Sequence, residues 1–145
     1  NSYRYKSVDK YDLVIASAGG YPKDINFIQT HKSLHNAASF VKDGGKLLLF
    51  GECRDGVGNR SFIDIFSGSK EQIIDNLRIN YSGNGGTALA TLAKTDRIQV
   101  MMHTDLSSAD CRKMGITKVN REVINSELDG FKGRVAIIMN ASIIF

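Results

Sequence analysis

Short apolar runs alternate with longer segments of helical periodicity along this chain of 145 residues. Each run is rich in Leu, Val, Ile or Met and lacks the strict polar alternation of a half-exposed strand, so it predicts a strand that is buried on both faces. Four such strands are expected, at residues 11–16, 46–51, 97–103 and 134–139.

The segments between these runs carry helix signals. Apolar positions at helical spacing, from Phe27 to Val41, predict a first helix over residues 25–42, which Asp24 caps and Gly44-Gly45 ends. Four later helices are expected to run from a cap to a second residue: Ser69 to Arg78, Thr87 to Lys94, Ser107 to Gly115 and Asn120 to Phe131.

Strands that alternate with helices at this spacing form βαβ units. We therefore predict one α/β domain over residues 1–145, a Rossmann-like three-layer fold with a mostly parallel sheet of about four strands and helices on both faces. Ligands of such sheets bind beyond the carboxyl ends of the strands. This rule points to four loops, at residues 17–24, 52–59, 103–105 and 140–142.

Composition narrows the classes of function. The formal net charge is +4, but the basic residues are scattered singly, which argues against a nucleic-acid partner and leaves a small anionic ligand. No apolar run approaches the ~18 residues of a membrane span, so no membrane partner is expected. Cys53 and Cys111 are far apart and form no CxxC motif, which is typical of a reducing, cytoplasmic compartment.

Glycine motifs for phosphate binding are missing from the sequence. Gly19-Gly20 and Gly56-Val57-Gly58 lack the GxGxxG spacing, and no GxxxxGK[ST] motif occurs. From turn chemistry alone, these glycines are expected to form tight turns between strands and helices.

Two polar pairs are candidates for ligand binding. Gln29 and Lys32 lie three residues apart on one helix face, where an ammonium and an amide could hold a substrate carboxylate; the alternative is an ordinary solvated face. Glu52 and Arg54 follow the second predicted strand, and the alternative for them is a mutual ion pair.

The three histidines are weaker candidates. His31 and His35 have the i, i+4 spacing of two metal ligands, but Lys32 stands where a zinc protease has its Glu, and no third ligand has a recognisable spacing. We therefore expect two ordinary helix histidines and no metal site. His103 ends the third predicted strand, where a side chain can reach a ligand.

A longer sequence pattern resembles a known family. The strings GGYPKDIN at residues 19–26 and ECRDGVG at residues 52–58, with Gln29 and Lys32 between them, look like the C-terminal domain of the nickel-pincer lactate racemase family. The resemblance is dense over residues 11–59 and continues, more thinly, through the last predicted strand.

The resemblance implies a two-domain enzyme that racemises or epimerises 2-hydroxy acids by reversible hydride transfer to a nickel-pincer nucleotide. In that family the N-terminal domain supplies the lysine that tethers the cofactor, the histidine that ligates nickel, and two histidines that act as general acid and base. Residues 1–145 would then form the C-terminal, substrate-side domain, whose partners are its own N-terminal domain and a small 2-hydroxy acid. The chain begins with Asn1 rather than Met, which also suggests a piece of a longer protein. We expect this piece alone to be inactive and to bind no cofactor.

By the same resemblance, Gln29 and Lys32 contact substrate and cofactor, while no residue of this domain is catalytic and none binds metal. The family commonly has an aromatic residue just before this Gln, whereas here Ile28 precedes it, so the substrate is assigned only as a 2-hydroxy acid. The cleft loops are expected to contribute Gly19, Gly20, Pro22, Lys23, Asp24, Glu52 and Arg54.

The alternative is a stand-alone Rossmann-like domain that binds a small molecule or a nucleotide without catalysis. A methyltransferase of this form needs a glycine-rich turn after its first strand, and Gly19-Gly20-Tyr21-Pro22 matches such a turn poorly.

Overall fold

The elements of the fold follow the predicted alternation of strands and helices. The computed structural model describes residues 10–79 and 84–143. Its strands are β1 (Tyr11–Ser17), β2 (Val41–Phe50), β3 (Gln99–His103), β4 (Thr117–Lys118) and β5 (Val135–Ile138). Its helices are α1 (Phe27–Ala38), α2 (Arg60–Asp64), α3 (Lys70–Ile79), α4 (Gly85–Arg97), α5 (Ser108–Lys113) and α6 (Arg121–Leu128), and a 3-10 turn covers Ala141–Ile143. None of these described helices is long and apolar enough to cross a membrane.

The five strands are parallel and follow the order β4-β3-β2-β1-β5. The predicted α/β class is confirmed, with five strands rather than about four, because β4 has only two residues and leaves no apolar run in the sequence. The chain proceeds from β1 through β2 and β3 to β4, and then returns to β5 on the other side of β1. This reversal creates a topological switch point at the carboxyl ends of β1 and β5, where ligands of such sheets bind.

The two faces of the sheet are packed unequally. A large cluster on one face joins strand residues such as Val14 and Leu47 to buried residues of α1, α2, α4 and α5. A small cluster on the other face joins Leu48 and Met101 to Ile124 of α6. Right-handed crossovers explain this difference, because the connections from β1 out to β4 put their helices on one face and the returning α6 lies on the other.

The first helix begins two residues later than predicted. Its N-cap is Asn26, whose Oδ1 accepts a hydrogen bond from the backbone N–H of Gln29 at 2.9 Å. The prediction that Asp24 is the cap is wrong, because the Asp24 carboxylate instead accepts from the backbone of the loop after β2. Asp and Asn are equivalent cap signals in a sequence, so only the fold decides between them.

The same helix ends at Ala38 rather than at residue 42. The guanidinium of Arg97 donates hydrogen bonds to the carbonyl oxygens of Ala38 and Val41, at 2.6 and 2.7 Å. Val41 continues the helical spacing but already belongs to β2, and Gly44-Gly45 lie within this strand, where its pairing with β1 is irregular. The helical periodicity therefore extended the prediction into a strand.

Three of the predicted caps are confirmed. Ser69 and Gln72 form a reciprocal capping box with hydrogen bonds of 2.8 and 3.1 Å. Ser107 and Asn120 each accept a hydrogen bond from the backbone N–H three residues further on.

Other boundaries are corrected. Helix α4 follows Asn84 directly, so Thr87 is not its cap, and it extends through Arg97, which was expected in the third strand. Helices α5 and α6 end earlier than predicted, at Lys113 and Leu128. Helix α2 has five residues, too few to show a periodic pattern, and was not predicted.

Both cysteines are free and buried. Burial raises the pKa of the Cys111 thiol to about 11, and it also raises the pKa of the Cys53 thiol above its usual value. Because the thiolate is the reactive form, neither cysteine is activated as a nucleophile.

We predict that Ile124→Ala destabilises the domain by about 2–4 kcal/mol, because Ile124 is the α6 residue that packs in the cluster with Leu48 and Met101. Urea denaturation followed by circular dichroism measures this loss. The matched control is Val123→Ala, at the exposed neighbour on the same helix, which should change the free energy of unfolding by less than about 0.5 kcal/mol. Equal effects of the two variants would contradict the packing of α6 on this face.

Candidate functional site

The loops after β1 and β5 meet at the switch point. Gly19, after β1, has a φ of +93°, and a Cβ atom on it would lie 2.5 Å from Oδ1 of Asn140. Asn140, after β5, uses the same oxygen to accept hydrogen bonds from the backbone N–H and the hydroxyl of Ser142, at 3.1 and 2.6 Å. The two loops therefore pack with no room for a side chain at Gly19.

The turn after β5 is also fastened to α1. The side-chain amide of Asn36 donates a hydrogen bond to the carbonyl oxygen of Ala141 at 2.7 Å, although 105 positions separate the two residues. This bond holds the turn against the helix that carries Gln29 and Lys32.

A cavity of about 240 Å³ lies at this junction and is lined by Lys23, Gln29, Lys32, Ser142 and Ile143. Within the described part of the chain, the side chains of Lys23, Gln29 and Lys32 form no hydrogen bond or ion pair with protein groups. Two ammonium groups and an amide are thus available to a ligand, and they favour a carboxylate or a phosphate. We call this space the anion cavity. Ile143 was not predicted, and Ser142 only as part of its loop.

The loop after β2 holds the beginning of α1 in place. The buried carboxylate of Asp24 accepts a hydrogen bond from the backbone N–H of Glu52 at 3.0 Å, and the carbonyl of Asp24 accepts one from Cys53 at 2.8 Å. The backbone N–H of Phe27 in turn donates to the carbonyl of Gly56 at 3.0 Å. Asp24 therefore supports the loop and does not line the anion cavity.

A second cavity, of about 260 Å³, lies at the carboxyl ends of β1, β2 and β3. Of the predicted residues it takes Gly20, Asp24 and Glu52, and it adds His103 and Asp105. We call it the acidic cavity, because its three carboxyl groups disfavour an anionic ligand. The predicted cleft residues are thus divided between two cavities of opposite charge.

Arg54 is occupied within its own loop. It forms an ion pair with Glu52 at 3.2 Å, and its guanidinium lies 4.8 Å from the centre of the Tyr21 ring. The hydrogen bond from Arg54 to Glu52 holds the pKa of the guanidinium above its ordinary value. The mutual ion pair, the alternative for these two residues, is therefore formed. Among the described residues, Gly19, Pro22 and Arg54 line neither cavity.

His31 and His35 are neighbours on α1, with ring centres 6.3 Å apart. Burial, together with the charge of Lys94, lowers the pKa of His31 to about 4, and the same two causes lower the pKa of His35. The buried Nε2 of His31 has no hydrogen-bond partner in the described structure. Over residues 10–79 and 84–143, no group of three or more His, Cys, Asp or Glu side chains is arranged to hold a metal ion. His31 therefore packs as a neutral imidazole.

Known proteins with similar sequences share one description. The family model of the lactate racemase C-terminal domain matches residues 6–83. A lactate racemase of Thermoanaerobacterium thermosaccharolyticum is 42% identical over 60 residues, which are 41% of this chain and 14% of that protein. A lactate racemase of Lactiplantibacillus plantarum is 37% identical over 51 residues, which are 35% of this chain and 12% of that protein.

The fold is similar to that of a solved structure, the lactate racemase apoprotein from Thermoanaerobacterium thermosaccharolyticum. The likeness covers 94% of this chain and 36% of that chain, with a TM-score of 0.81 and 23% sequence identity. At this identity it concerns the fold alone. The chain spans well under half the length of each of these proteins.

We predict that the domain loses stability as the pH falls from about 6.5 towards 4. The pKa of His31 is lower in the folded chain than its ordinary value of 6.5, so the unfolded chain takes up the proton first and acid favours unfolding in this interval. The full contribution is present above pH 6.5, and about 1–2 kcal/mol of it should be lost by pH 5. The free energy of unfolding in urea, measured at several pH values, tests this.

The control for this experiment is His35→Gln, at the more exposed histidine, which should keep most of the decline. His31→Leu should flatten it. An unchanged decline in the His31→Leu variant would show that another group is responsible.

A second prediction concerns the contact between the two loops. Gly19→Ala and Gly20→Ala both place a side chain at a positive φ, which costs about 1–2 kcal/mol, but only at Gly19 does the new Cβ meet Asn140. Gly19→Ala should therefore reduce the free energy of unfolding by at least about 1 kcal/mol more than Gly20→Ala. Urea denaturation of the two variants measures the difference, and equal losses would contradict the described packing.

Proposed function

The chain belongs to the lactate racemase C-terminal domain family, and from this premise we propose that it supplies the substrate-binding side of the active site in a racemase or epimerase of 2-hydroxy acids. The resemblance carried by GGYPKDIN and ECRDGVG is thereby confirmed at the level of the family. Because the matched racemases are much longer than this chain, we assign the catalytic groups to a domain that precedes it in the full-length enzyme.

One observation carries the proposal: Gln29 and Lys32 line the same cavity at the switch point, and neither side chain is engaged by the described protein groups. In this reading the Lys32 ammonium binds the substrate carboxylate, and the Gln29 amide fixes its orientation. Both side chains project from a helix that Asn26 caps and Asn36 ties to the turn after β5. They are therefore held in place before the substrate arrives.

The family's cofactor, a nickel-pincer nucleotide, is compatible with this cavity. A nucleotide carries anionic groups, and the ammonium groups of Lys23 and Lys32 could hold such a group or the substrate carboxylate. When bound, the cofactor exchanges a hydride with the substrate. Ligation of the metal belongs, in this proposal, to the preceding domain, and the chain alone would be inactive. The free thiols of Cys53 and Cys111 support a reducing compartment such as the cytoplasm.

The substrate class remains broader than lactate in this proposal. Ile28 occupies the position where the family commonly has an aromatic residue, and its side chain packs partly against the large core cluster. An aliphatic side chain directed at the core leaves this wall of the cavity without an aromatic contact. We therefore propose a 2-hydroxy acid without naming its side chain.

We predict that Lys32→Ala lowers kcat/KM of the full-length enzyme about 100-fold, since a hydrogen bond to a charged group contributes about 1.5–3 kcal/mol. Gln29→Ala should have a smaller effect, because it removes a neutral partner. Chiral chromatography of lactate and of longer 2-hydroxy acids measures the rates.

The matched control is Lys113→Ala, at an exposed lysine of α5 outside both cavities, which should leave kcat/KM unchanged. Wild-type kcat/KM in a folded Lys32→Ala variant would exclude the proposed role. Tight nucleotide binding to the chain in calorimetry, together with that result, would favour the stand-alone binding domain.

A further inference from the structure

An exposed apolar strip runs along β5. Val135, Ile137 and Met139 occupy alternate positions, and 42%, 69% and 82% of their surfaces are exposed. Alternate residues of a strand point to the same face of a sheet, so the three form one continuous patch, which we call the β5 strip. Single exposed apolar residues are common, but a row of them on a strand is typical of a surface that another body covers.

The strip lies on the sheet face opposite to α1. Ile137 pairs in register with Ile15, so the two share a face, whereas Ala136 and Ile138 pack against the large core cluster on the other side. Helix α6 covers Leu48 and Met101 on the strip's face, but it leaves β5 open. β5 is also the edge strand of the sheet formed by the described residues.

We propose that the β5 strip is the docking surface for the domain that precedes this one in the same enzyme chain, an inference that rests on the proposed function. The length of the relatives supports this occupant, because the matched family is a C-terminal domain and this chain covers only 36% of the solved lactate racemase chain. The larger part of such an enzyme therefore needs a surface on which to rest.

The position of the strip supports the same occupant. β5 leads through Met139 directly into the turn whose Ser142 and Ile143 line the anion cavity. Exposed apolar surface thus continues from the strip to the cavity, since Ile143 is itself exposed. A domain seated on the strip reaches the rim of the cavity, where its catalytic groups are required. A second copy of this chain would cover the strip without supplying those groups.

Methionine oxidation tests the proposal in the full-length enzyme. Met139 is the exposed methionine of the chain, while Met101, Met102 and Met114 are buried. Dilute hydrogen peroxide followed by peptide mass spectrometry reports the accessibility of each. We expect Met139 in the native enzyme to be oxidised at least tenfold more slowly than in urea. Ile137→Lys should remove this protection, because it places a charge in the apolar contact.

The matched control is Ile79→Lys. Ile79 ends α3, outside the strip, and 77% of its surface is exposed, so this variant should leave Met139 protected. Oxidation of Met139 in the native enzyme at the rate found in urea overturns the proposal. Protection that disappears on dilution of the protein also overturns it, because it identifies a second copy as the occupant.

The experiment separates this inference from the proposed function. Protected Met139 in an enzyme that racemises no 2-hydroxy acid would support the docking surface and contradict the function. Racemase activity that depends on Lys32, together with an unprotected Met139, would support the function and contradict the docking surface.

Discussion

The close contact between Gly19 and the side chain of Asn140 determines where the site can form. It joins the loop after β1 to the loop after β5, two segments that are distant in sequence and adjacent only because the strand order reverses at β1. With the hydrogen bond from Asn36 to Ala141, it sets the turn after β5 against α1. The anion cavity is the space that these two contacts enclose on the side of Gln29 and Lys32.

Much of the family-specific sequence builds this geometry and does not touch the anion cavity. The motif ECRDGVG supplies the backbone groups that bind Asp24 and the N–H of Phe27. Within it, Gly58 has a φ of +99°, and a Cβ atom there would lie 2.9 Å from the side chain of the cap residue Asn26. A loop that must approach a helix cap this closely requires glycine, so the motif is specific without being a set of ligands.

The sequence was sufficient for the features that depend on local chemistry. Apolar runs identified β1, β2, β3 and β5, and the caps at Ser69, Ser107 and Asn120 are those expected. The spacing of Gln29 and Lys32 correctly placed them on one face, since both line one cavity.

The features that depend on tertiary contacts could not be predicted. The end of α1 is set by Arg97, which lies 59 positions beyond Ala38, and no local pattern records that bond. The separation of Lys23 from Asp24 and Glu52 into different cavities likewise follows from how two loops pack.

The exposed strip on β5 follows from the same topology as the site. Five strands about 4.8 Å apart need about 19 Å of cover on each face, and an α-helix is about 10 Å wide. The face that carries the outward connections receives buried residues from four of the described helices, whereas the other receives them from α6, which has eight residues. One short helix covers about two strands, and it lies over Leu48 and Met101 of β2 and β3. The reversal that opens the anion cavity between β1 and β5 therefore also leaves β5 uncovered, so the site and the proposed docking surface have one structural cause.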